Sequence, residues 1–203
     1  MKVILISQRV YTDKSTKEIR DTLDIRLSKL LFSINLYPVI VPNSLGILSK
    51  KKFENYLNKI KPHGLILSGG EDFGKNKLRD KNEYKLLNYF IKKKRPILGI
   101  CRGMLLISKF FGTNLKKISG HVKTKHKVKI LSKDNLFPNI INSYHNFAIR
   151  KCPKNFSITL KSKDKVIEAI KHKSIKCEGW MWHPERDKKI DKTNNYRLKK
   201  IFK

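Results

Sequence analysis

One of the three cysteines, Cys101, lies where an apolar run of strand length ends and a segment of helical character begins. Gly99 and Gly103 flank it, and glycine removes the side chains that would crowd a sharp bend. A residue on such a turn projects from the carboxyl end of its strand, where open α/β sheets place their sites. The N–H groups at the start of the helix favour a thiolate. The pattern therefore predicts a nucleophilic cysteine rather than a buried, inert one.

A base for this nucleophile is predicted in the segment WMWHPERD, residues 180–187. His183 follows an apolar strand, and Pro184 ends that strand because it lacks a backbone donor. Glu185 lies two residues beyond the histidine and can fold back to hold the imidazole. In isolation the segment is equally typical of a surface histidine beside a glutamate. Together with Cys101 it predicts a Cys-His-Glu catalytic triad, which requires these roles and no particular chain order.

A double glycine follows the apolar run Leu65–Leu67, in the order Ser68-Gly69-Gly70. An ordinary Gly-Gly turn is one interpretation. The other is an oxyanion hole, because glycine lets backbone N–H groups approach a ligand closely and an attacked carbonyl needs two such donors. The predicted donors are the backbone N–H groups of Gly70 and Arg102, with Gly69 as a near alternative.

Alternating apolar runs and amphipathic stretches must position these residues. In the first half of the chain their rhythm is typical of a parallel sheet covered by helices. Beyond about residue 120, short strand-like segments indicate an antiparallel or mixed extension of the same sheet. The predicted strands are 3–6, 37–41, 65–67, 96–100, 127–131, 146–149, 157–160, 166–170 and 177–182, and the predicted helices are 14–35, 53–60, 83–94 and one beginning at Arg102.

The order of these motifs resembles that of the class I glutamine amidotransferase-like family, and within it the γ-glutamyl hydrolase branch. The resemblance is carried by GICRGM, NSYHNF and WMWHPERD, with RDTLD at 20–24 as a further match, and it covers nearly the whole chain. It implies a single domain, 1–203, with an α/β flavodoxin-like three-layer sandwich whose mostly parallel central sheet has antiparallel additions in the C-terminal half. It also implies that Cys101, His183 and Glu185 are catalytic and that no cofactor or metal takes part.

The resemblance further implies a binding site for the glutamyl group. The segment NSYHNF supplies its candidate residues, and by polarity Ser143 and His145 could bind a carboxylate. Leu105 stands four residues after the cysteine, where the family usually has a glutamine that shapes this pocket. The implied substrate-binding residues are Gly69, Ser143, Tyr144, His145 and Asn146, and the candidate phosphate contacts are Arg102, Lys123 and Lys125.

The charge balance is unusual, because 47 Lys and Arg residues face 16 Asp and Glu residues, a formal net charge of +31. Lysines account for 38 of the cations and arginines for nine, and they are spread along the chain. A solvated, lysine-rich surface explains this pattern, as does a field that attracts an anionic substrate. A nucleic-acid binder that keeps the fold is the non-enzymatic alternative, although such proteins favour clustered arginines and aromatics.

The cysteine and histidine spacing predicts no structural metal site. There is no CxxC pair and no zinc-finger spacing, and an odd number of cysteines argues against a disulfide framework. His121 and His126 are expected at the surface of a basic loop. The first ten residues do not have the pattern of a signal peptide, and no apolar run has the length of a membrane span. A cytoplasmic protein without a membrane partner is therefore expected, either as a monomer or as a homodimer.

The predicted function is hydrolysis of a γ-glutamyl amide through a γ-glutamyl thioester. The resemblance and the charge together favour an anionic leaving group, as in γ-glutamyl-CDP-amidate, whose product serves bacterial capsule modification. A γ-glutamyl-aminobutyrate hydrolase of amine catabolism and a glutaminase subunit that delivers ammonia to a synthetase remain the enzymatic alternatives. Nucleic acid is expected to bind only nonspecifically.

Overall fold

The computed structural model describes residues 2–133, 136–187 and 191–203. Its elements alternate between strand and helix in the first half and are mostly strands in the second. The strands are β1 (Lys2–Ile6), β2 (Arg9–Thr12), β3 (Ile19–Thr22), β4 (Leu36–Ile40), β5 (Gly64–Leu67), β6 (Ile97–Ile100), β7 (Leu115–Lys117), β8 (Val122–Ile130), β9 (Ile140–Tyr144), β10 (Phe147–Ile149), β11 (Phe156–Ser162), β12 (Ile167–His172) and β13 (Cys177–Trp180). The helices are α1 (Ile25–Ser33), α2 (Lys50–Ile60), α3 (Lys77–Lys92), α4 (Arg102–Phe110) and α5 (Lys192–Ile201), with 3₁₀ turns at Asn43–Ile47 and Pro184–Arg186.

Nine of the strands within the described ranges form one mixed sheet in the order β4-β1-β5-β6-β13-β12-β11-β8-β9. The first five in this order run parallel to one another. From β13 onwards each neighbouring pair is antiparallel. The predicted α/β class and the antiparallel extension of the C-terminal half are thus both confirmed.

Hydrophobic side chains fill both faces of this sheet. Along β1, Leu5 packs into one layer, while Ile4 and Ile6 pack into the other, because successive side chains of a strand point to opposite faces. Helices α2, α3 and α4 cover the first face, and α1 and α5 cover the second. The result is the three-layer arrangement expected from apolar strands alternating with amphipathic helices.

The predicted helix 14–35 is wrong in its first half. Strands β2 and β3 form an antiparallel hairpin there, and α1 begins only at Ile25. The side chain of Asp13 accepts hydrogen bonds from the N–H groups of Ser15 and Thr16, which closes the turn of the hairpin. Asp24 then caps α1 by accepting from the Arg26 N–H. The hydrogen bonds of Asp13 and Asp24 therefore determine the local structure here, although the apolar residues have helical spacing.

Two features of the C-terminal half also differ from the prediction. Strand β10, predicted as part of the main sheet, pairs instead with β7 in a separate two-stranded ribbon. Strand β9, which contains the polar residues Asn142 and Ser143, was not predicted, because its polar centre hides the alternation typical of a strand. β9 closes one edge of the main sheet. No helix in the described ranges combines the length and the hydrophobicity that crossing a bilayer requires.

Candidate functional site

Cys101 occupies a strained turn between β6 and α4. Its backbone has φ 52° and ψ −106°, a conformation that residues other than glycine rarely adopt. Its N–H donates to the carbonyl of Trp180 at 2.7 Å, which anchors the turn to the neighbouring strand β13. Such strain persists only where the surrounding structure imposes it, and it concentrates at functional sites. The sulfur is therefore held at the carboxyl end of the sheet.

Glycines allow α4 to lie close enough to the sheet for this turn. A Cβ atom at Gly103 would lie 2.1 Å from the carbonyl oxygen of Leu67, and one at Gly99 would lie 2.4 Å from the carbonyl carbon of Gly103. Neither backbone atom can move aside. The two glycines that flank the cysteine in the sequence are thus required for packing the helix against β5 and β6.

His183 and Glu185 lie beside Cys101. The Nδ1 atom of His183 is 2.6 Å from the Oε1 atom of Glu185, and both residues are buried. Burial disfavours the imidazolium, but hydrogen bonds to Cys101 and Glu185 outweigh it and raise the pKa of His183 from 6.5 to about 9. On its other side the ring packs against Gly69, where a Cβ atom would lie 2.5 Å from Cε1 of the imidazole. The structure therefore brings the three predicted residues together.

Asn142 holds the backbone of His183, a role that the sequence analysis missed. Its amide oxygen accepts from the His183 N–H at 2.9 Å, and its amide nitrogen donates to the His183 carbonyl at 2.7 Å and to Asp187 at 2.9 Å. These hydrogen bonds, one accepted and one donated by the same side-chain amide, fix the backbone segment that carries the imidazole. The only signal in the sequence was the position of Asn142 in the NSYHNF motif, 41 residues before the histidine.

The backbone N–H of Gly70 is oriented by Arg79. The Arg79 guanidinium donates to the carbonyls of Ser68 at 2.8 Å and Gly69 at 3.0 Å. Because the carbonyl and the N–H of one peptide plane point in opposite directions, the Gly70 N–H points away from Arg79. Gly70 lines the same cleft as Cys101. Arg102 is the first residue of α4, so its N–H has no acceptor within the helix.

A buried network of charges supports this loop. Glu83 contacts both arginines, at 2.9 Å from Nε of Arg79 and in a close ion pair with Arg102. Arg102 also pairs closely with Asp80. Burial opposes ionisation of Glu83, but the two arginines more than compensate and lower the pKa of its carboxyl group. The expected phosphate contact from the Arg102 side chain is therefore not supported, since two carboxylates already neutralise it.

A cleft of about 620 Å³ opens next to Cys101. Leu105 lies in its wall, at the position where a glutamine was expected from the resemblance. Cations outnumber carboxylates among its lining residues by three to two even without the already paired Arg102, and Lys109 lies over the ring of Phe73 at 4.9 Å. The charged and aromatic residues that line the cleft are Glu71, Asp72, Phe73, Lys75, Arg102, Lys109, Tyr144, His145, Phe147 and Arg150.

The predicted substrate-binding residues divide between this cleft and its surroundings. Tyr144, His145 and Asn146 line the cleft. Ser143 does not, because it is fully buried and its hydroxyl donates to the carbonyl of His121 at 2.8 Å. Gly69 faces His183 instead of the cleft.

The cations of the cleft also differ from those predicted. Lys123 and Lys125 are exposed on β8, and neither is among the described residues that line the cleft. Besides Arg102, whose side chain is already paired with Asp80 and Glu83, the cationic side chains there are Lys75, Lys109 and Arg150, which were not predicted from the sequence. Tertiary structure alone brings them together, since they come from three separate segments.

The prediction that His121 lies at the surface is wrong. His121 is 1% exposed, and His126, which is half-buried on β8, stacks against it with ring centroids 4.2 Å apart. The ring of His121 also contacts that of His145, with ring centroids 4.9 Å apart. One ring nitrogen of His121, one of His145 and one carboxylate oxygen of Glu168 lie within 4.8 Å of one another. The imidazole of His121 is therefore buried, whereas Lys123 and Lys125 of the same segment are exposed.

Comparisons with known proteins identify similar chains. The family model described as "Glutamine amidotransferase class-I" matches residues 19–201. The gamma-glutamyl-CDP-amidate hydrolase of Campylobacter jejuni is 34% identical over 96% of this chain and 94% of its own length. A glutamine-hydrolyzing GMP synthase component from Pyrococcus abyssi is 28% identical, covering 79% of this chain and 82% of that protein. A glutamine amidotransferase from Thermotoga maritima superposes with a TM-score of 0.69 at 16% identity, covering 98% of this chain and 83% of its own.

Proposed function

The chain belongs to the glutamine amidotransferase class-I family, and from this premise we propose that it hydrolyses a γ-glutamyl amide with Cys101 as the nucleophile. One observation carries the proposal. The strained turn at Cys101 places its side chain in hydrogen-bonding contact with His183, whose other ring nitrogen is 2.6 Å from Glu185. A nucleophile, a base and a group that orients the base are thus adjacent, and the nucleophile lines the cleft.

In the first half of the proposed reaction, the Cys101 thiolate attacks the γ-carbonyl carbon, and a carbon–sulfur bond forms. The electron pair of the carbonyl moves to oxygen, where the N–H groups of Gly70 and Arg102 stabilise the charge. The intermediate then collapses and the carbon–nitrogen bond breaks. The His183 imidazolium donates its proton to the departing nitrogen, and a γ-glutamyl thioester remains.

In the second half, neutral His183 removes a proton from water, and the resulting hydroxide attacks the thioester. Collapse of this second oxyanion releases glutamate and restores the thiolate beside the imidazolium. Glu185 holds Nδ1 throughout, so that Nε2 faces the reacting groups. His183 thus donates the proton to the leaving nitrogen and takes the proton from water, and the new carboxyl group of glutamate loses its own proton to solvent.

For the leaving group we propose a nucleotide phosphoramidate, with γ-glutamyl-CDP-amidate as the substrate. This choice is motivated by the similarity to the gamma-glutamyl-CDP-amidate hydrolase of Campylobacter jejuni. The cleft offers support, because Lys75, Lys109 and Arg150 line it and can face phosphate oxygens. The formal charge of +31 would draw an anionic substrate towards the protein. Release of an amidate for capsule modification would follow from this activity.

Glutamate release from three substrates at matched concentration tests the proposal. The panel is glutamine, γ-glutamyl-aminobutyrate and γ-glutamyl-CDP-amidate. We expect the nucleotide conjugate to have the highest kcat/KM. A higher kcat/KM for the aminobutyrate conjugate would overturn the proposed leaving group but leave the hydrolase assignment intact.

The nucleophile is tested by Cys101→Ala. We expect glutamate release to fall by about 10³-fold or more, because Cys101 is the only cysteine among the described residues that line the cleft. Circular dichroism should show an unchanged fold. Cys152→Ala is the matched control, since Cys152 is half-buried outside the residues that line the cleft, and it should retain activity. Full turnover by Cys101→Ala would refute the mechanism.

A glutaminase that works within a synthetase complex is the second candidate, favoured by the similarity to the GMP synthase component of Pyrococcus abyssi. Such a protein would hydrolyse glutamine and pass ammonia to a synthetase. The panel distinguishes the two, because a glutaminase of this kind would prefer glutamine and leave the nucleotide conjugate intact. Stimulation of glutamine hydrolysis by a synthetase added in equal amount would then support this second candidate.

A further inference from the structure

A second group of polar side chains is buried behind the wall of the cleft. His121 precedes β8, His145 lies between β9 and β10, and Glu168 lies on β12. The three residues are 1%, 4% and 0% exposed, respectively. Nδ1 of His121 is 3.4 Å from one carboxylate oxygen of Glu168, and Nε2 of His145 is 3.6 Å from the other. None of these four atoms has a hydrogen-bond partner among the described residues.

The opposite ring nitrogens of both histidines are engaged. Nε2 of His121 is 2.8 Å from the Asp164 carboxylate, and Nδ1 of His145 is 2.9 Å from the carbonyl of Phe147. Both of these partners are acceptors, so each imidazole must donate its N–H there. In the neutral rings the remaining nitrogens then carry lone pairs, which face a carboxylate. With neutral rings, three groups of electron donors converge in a buried space, where either protons on the rings or a bound cation must offset the charge of Glu168.

We propose that His121, His145 and Glu168 form a binding site for a Zn²⁺ ion. Imidazole nitrogen and carboxylate oxygen are established zinc ligands, at about 2.0–2.1 Å from the ion. Neighbouring ligands in a tetrahedron of such bonds are about 3.3–3.4 Å apart. The nitrogen-to-oxygen distances of 3.4 and 3.6 Å are close to this value and longer than a good hydrogen bond.

The outer contacts of the two histidines fit the same chemistry. Zinc-bound histidines usually donate their second N–H to a carboxylate or a backbone carbonyl, which fixes the ring and raises its basicity. Asp164 does this for His121, and Phe147 does it for His145. The two histidines and the glutamate supply three ligands, and the fourth position of the tetrahedron would be taken by water or by the second oxygen of Glu168.

Zinc at this place would join three segments of the C-terminal half. It would tie the start of β8 to β12 and to the loop between β9 and β10. That loop carries His145 and Asn146, which line the cleft. The ion would thus fix one wall of the cleft without contacting Cys101. The proposal does not depend on the proposed function, since a zinc site could exist whatever the substrate is.

Metal content and thermal unfolding test the site. The full chain would be prepared with Cys101→Ala, because a reactive thiolate binds zinc itself. After treatment with a chelator, the protein would be titrated with ZnCl₂, separated from free metal and analysed by mass spectrometry of the metal. We expect one Zn²⁺ per chain. With zinc at 100 times its Kd, we expect the melting temperature to rise by about 5–10 °C.

Variants locate the bound ion. His145→Ala and Glu168→Gln should each lose the bound zinc and the zinc-dependent rise in melting temperature. His126→Ala is the matched control, because His126 stacks on His121 but is not one of the three converging ligands. It should bind zinc with an affinity within threefold of the parent. Each variant is compared with itself with and without metal, so a general loss of stability does not alter the readout.

Cobalt provides a second readout that needs no substitution at the site. Co²⁺ held by two imidazoles and a carboxylate should give visible absorption bands of a four- or five-coordinate ion, without the intense near-ultraviolet band of a thiolate ligand. Failure to retain zinc at micromolar concentration, with an unchanged melting temperature, would overturn the proposal and leave protonated histidines as the counter-charge of Glu168. Zinc retained undiminished by both His145→Ala and Glu168→Gln would also overturn it.

Discussion

At the scale of single residues, the proposed activity depends on the protonation state of the His183 imidazole. The contacts of its imidazole with Cys101 and Glu185 raise its pKa to about 9, although burial acts in the opposite direction. The proposed reaction uses the imidazolium to protonate the leaving nitrogen. Activity should therefore persist through neutral pH and decline as the pH rises through about 9.

Glu185→Gln should move this decline to lower pH. The substitution removes a negative charge that stabilises the imidazolium, so His183 loses its proton earlier. The alkaline limb of kcat/KM, measured between pH 6 and 10, should shift down by about one unit or more. An unchanged alkaline limb in Glu185→Gln would show that Glu185 does not set the charge of His183.

The same shift links stability to pH. Because the pKa of His183 is higher in the folded state, protonated His183 contributes to the free energy of unfolding. This contribution is complete below the unfolded pKa of 6.5 and disappears as the pH rises through about 9. The difference in melting temperature between the parent and Glu185→Gln should accordingly be largest near pH 6 and smallest above pH 9. This control separates the titration of His183 from an effect on substrate binding.

At the scale of elements, the approach of α4 to the sheet determines the position of the nucleophile. Gly103→Ala would place a Cβ atom 2.1 Å from a backbone oxygen of β5. We expect a loss of about 2–3 kcal/mol in the free energy of unfolding, measured with urea, and a large loss of turnover because α4 must move with Cys101.

Gly112→Ala is the matched control for this prediction. A Cβ atom at Gly112 meets nothing within 4 Å, although its φ of +80° is unfavourable for alanine. The expected cost is about 1 kcal/mol, with activity unchanged. Equal stability and activity in the two variants would contradict the view that close packing of α4 positions the cysteine.

Arg79 links α3 to the loop after β5 and acts as a positioning residue. Arg79→Lys keeps the charge but loses the planar fork that contacts Ser68, Gly69, Glu71 and Glu83 together. The Gly70 peptide should then be free to rotate, and we expect kcat to fall by about 10²-fold with KM changed much less. Arg95→Lys, whose arginine donates to the carbonyl of Pro62, is the control. If Arg79→Lys lowered kcat and raised KM by the same factor, the result would argue against a role of Arg79 in orienting the N–H donors.

At the scale of the whole molecule, the excess of positive charge should act on the substrate over long distances. Salt screens such attraction, with a Debye length of about 10 Å at 0.1 M. The kcat/KM for γ-glutamyl-CDP-amidate should therefore fall steeply between 0.05 and 0.5 M salt, by about tenfold, while that for glutamine should change little. Equal salt dependence of the two substrates would show that the charge is unrelated to substrate choice.

Two lysine variants separate the cleft from the general surface. Lys109→Ala removes a cation from the wall of the cleft, whereas Lys125→Ala removes an exposed one on β8. Only the first should raise KM for the nucleotide conjugate, by several-fold, and it should leave KM for glutamine unchanged. The two variants thus compare Lys109, which the tertiary structure places in the cleft, with Lys125, which was predicted from the sequence to contact phosphate.

The sequence by itself determined the features that depend on neighbouring residues. A buried strand, a cysteine between two glycines and a following helix are local, so the turn at Cys101 and the alternation of β1, α1 and β4 could be inferred from spacing. His183 and Glu185 are two residues apart, and their contact could be inferred in the same way. The hairpin at 9–22 was missed because its turn depends on the side chain of Asp13, not on hydrophobic spacing.

Only the tertiary structure decided which distant side chains meet. Asn142 reaches His183 across 41 residues, Lys75, Lys109 and Arg150 line one cleft, and His121, His145 and Glu168 converge behind it. These contacts depend on the pairing of β8 with β9 and on the order of β11, β12 and β13 in the sheet. Hydrophobic periodicity shows which face of a strand is buried, but strand order and register follow from packing the whole core.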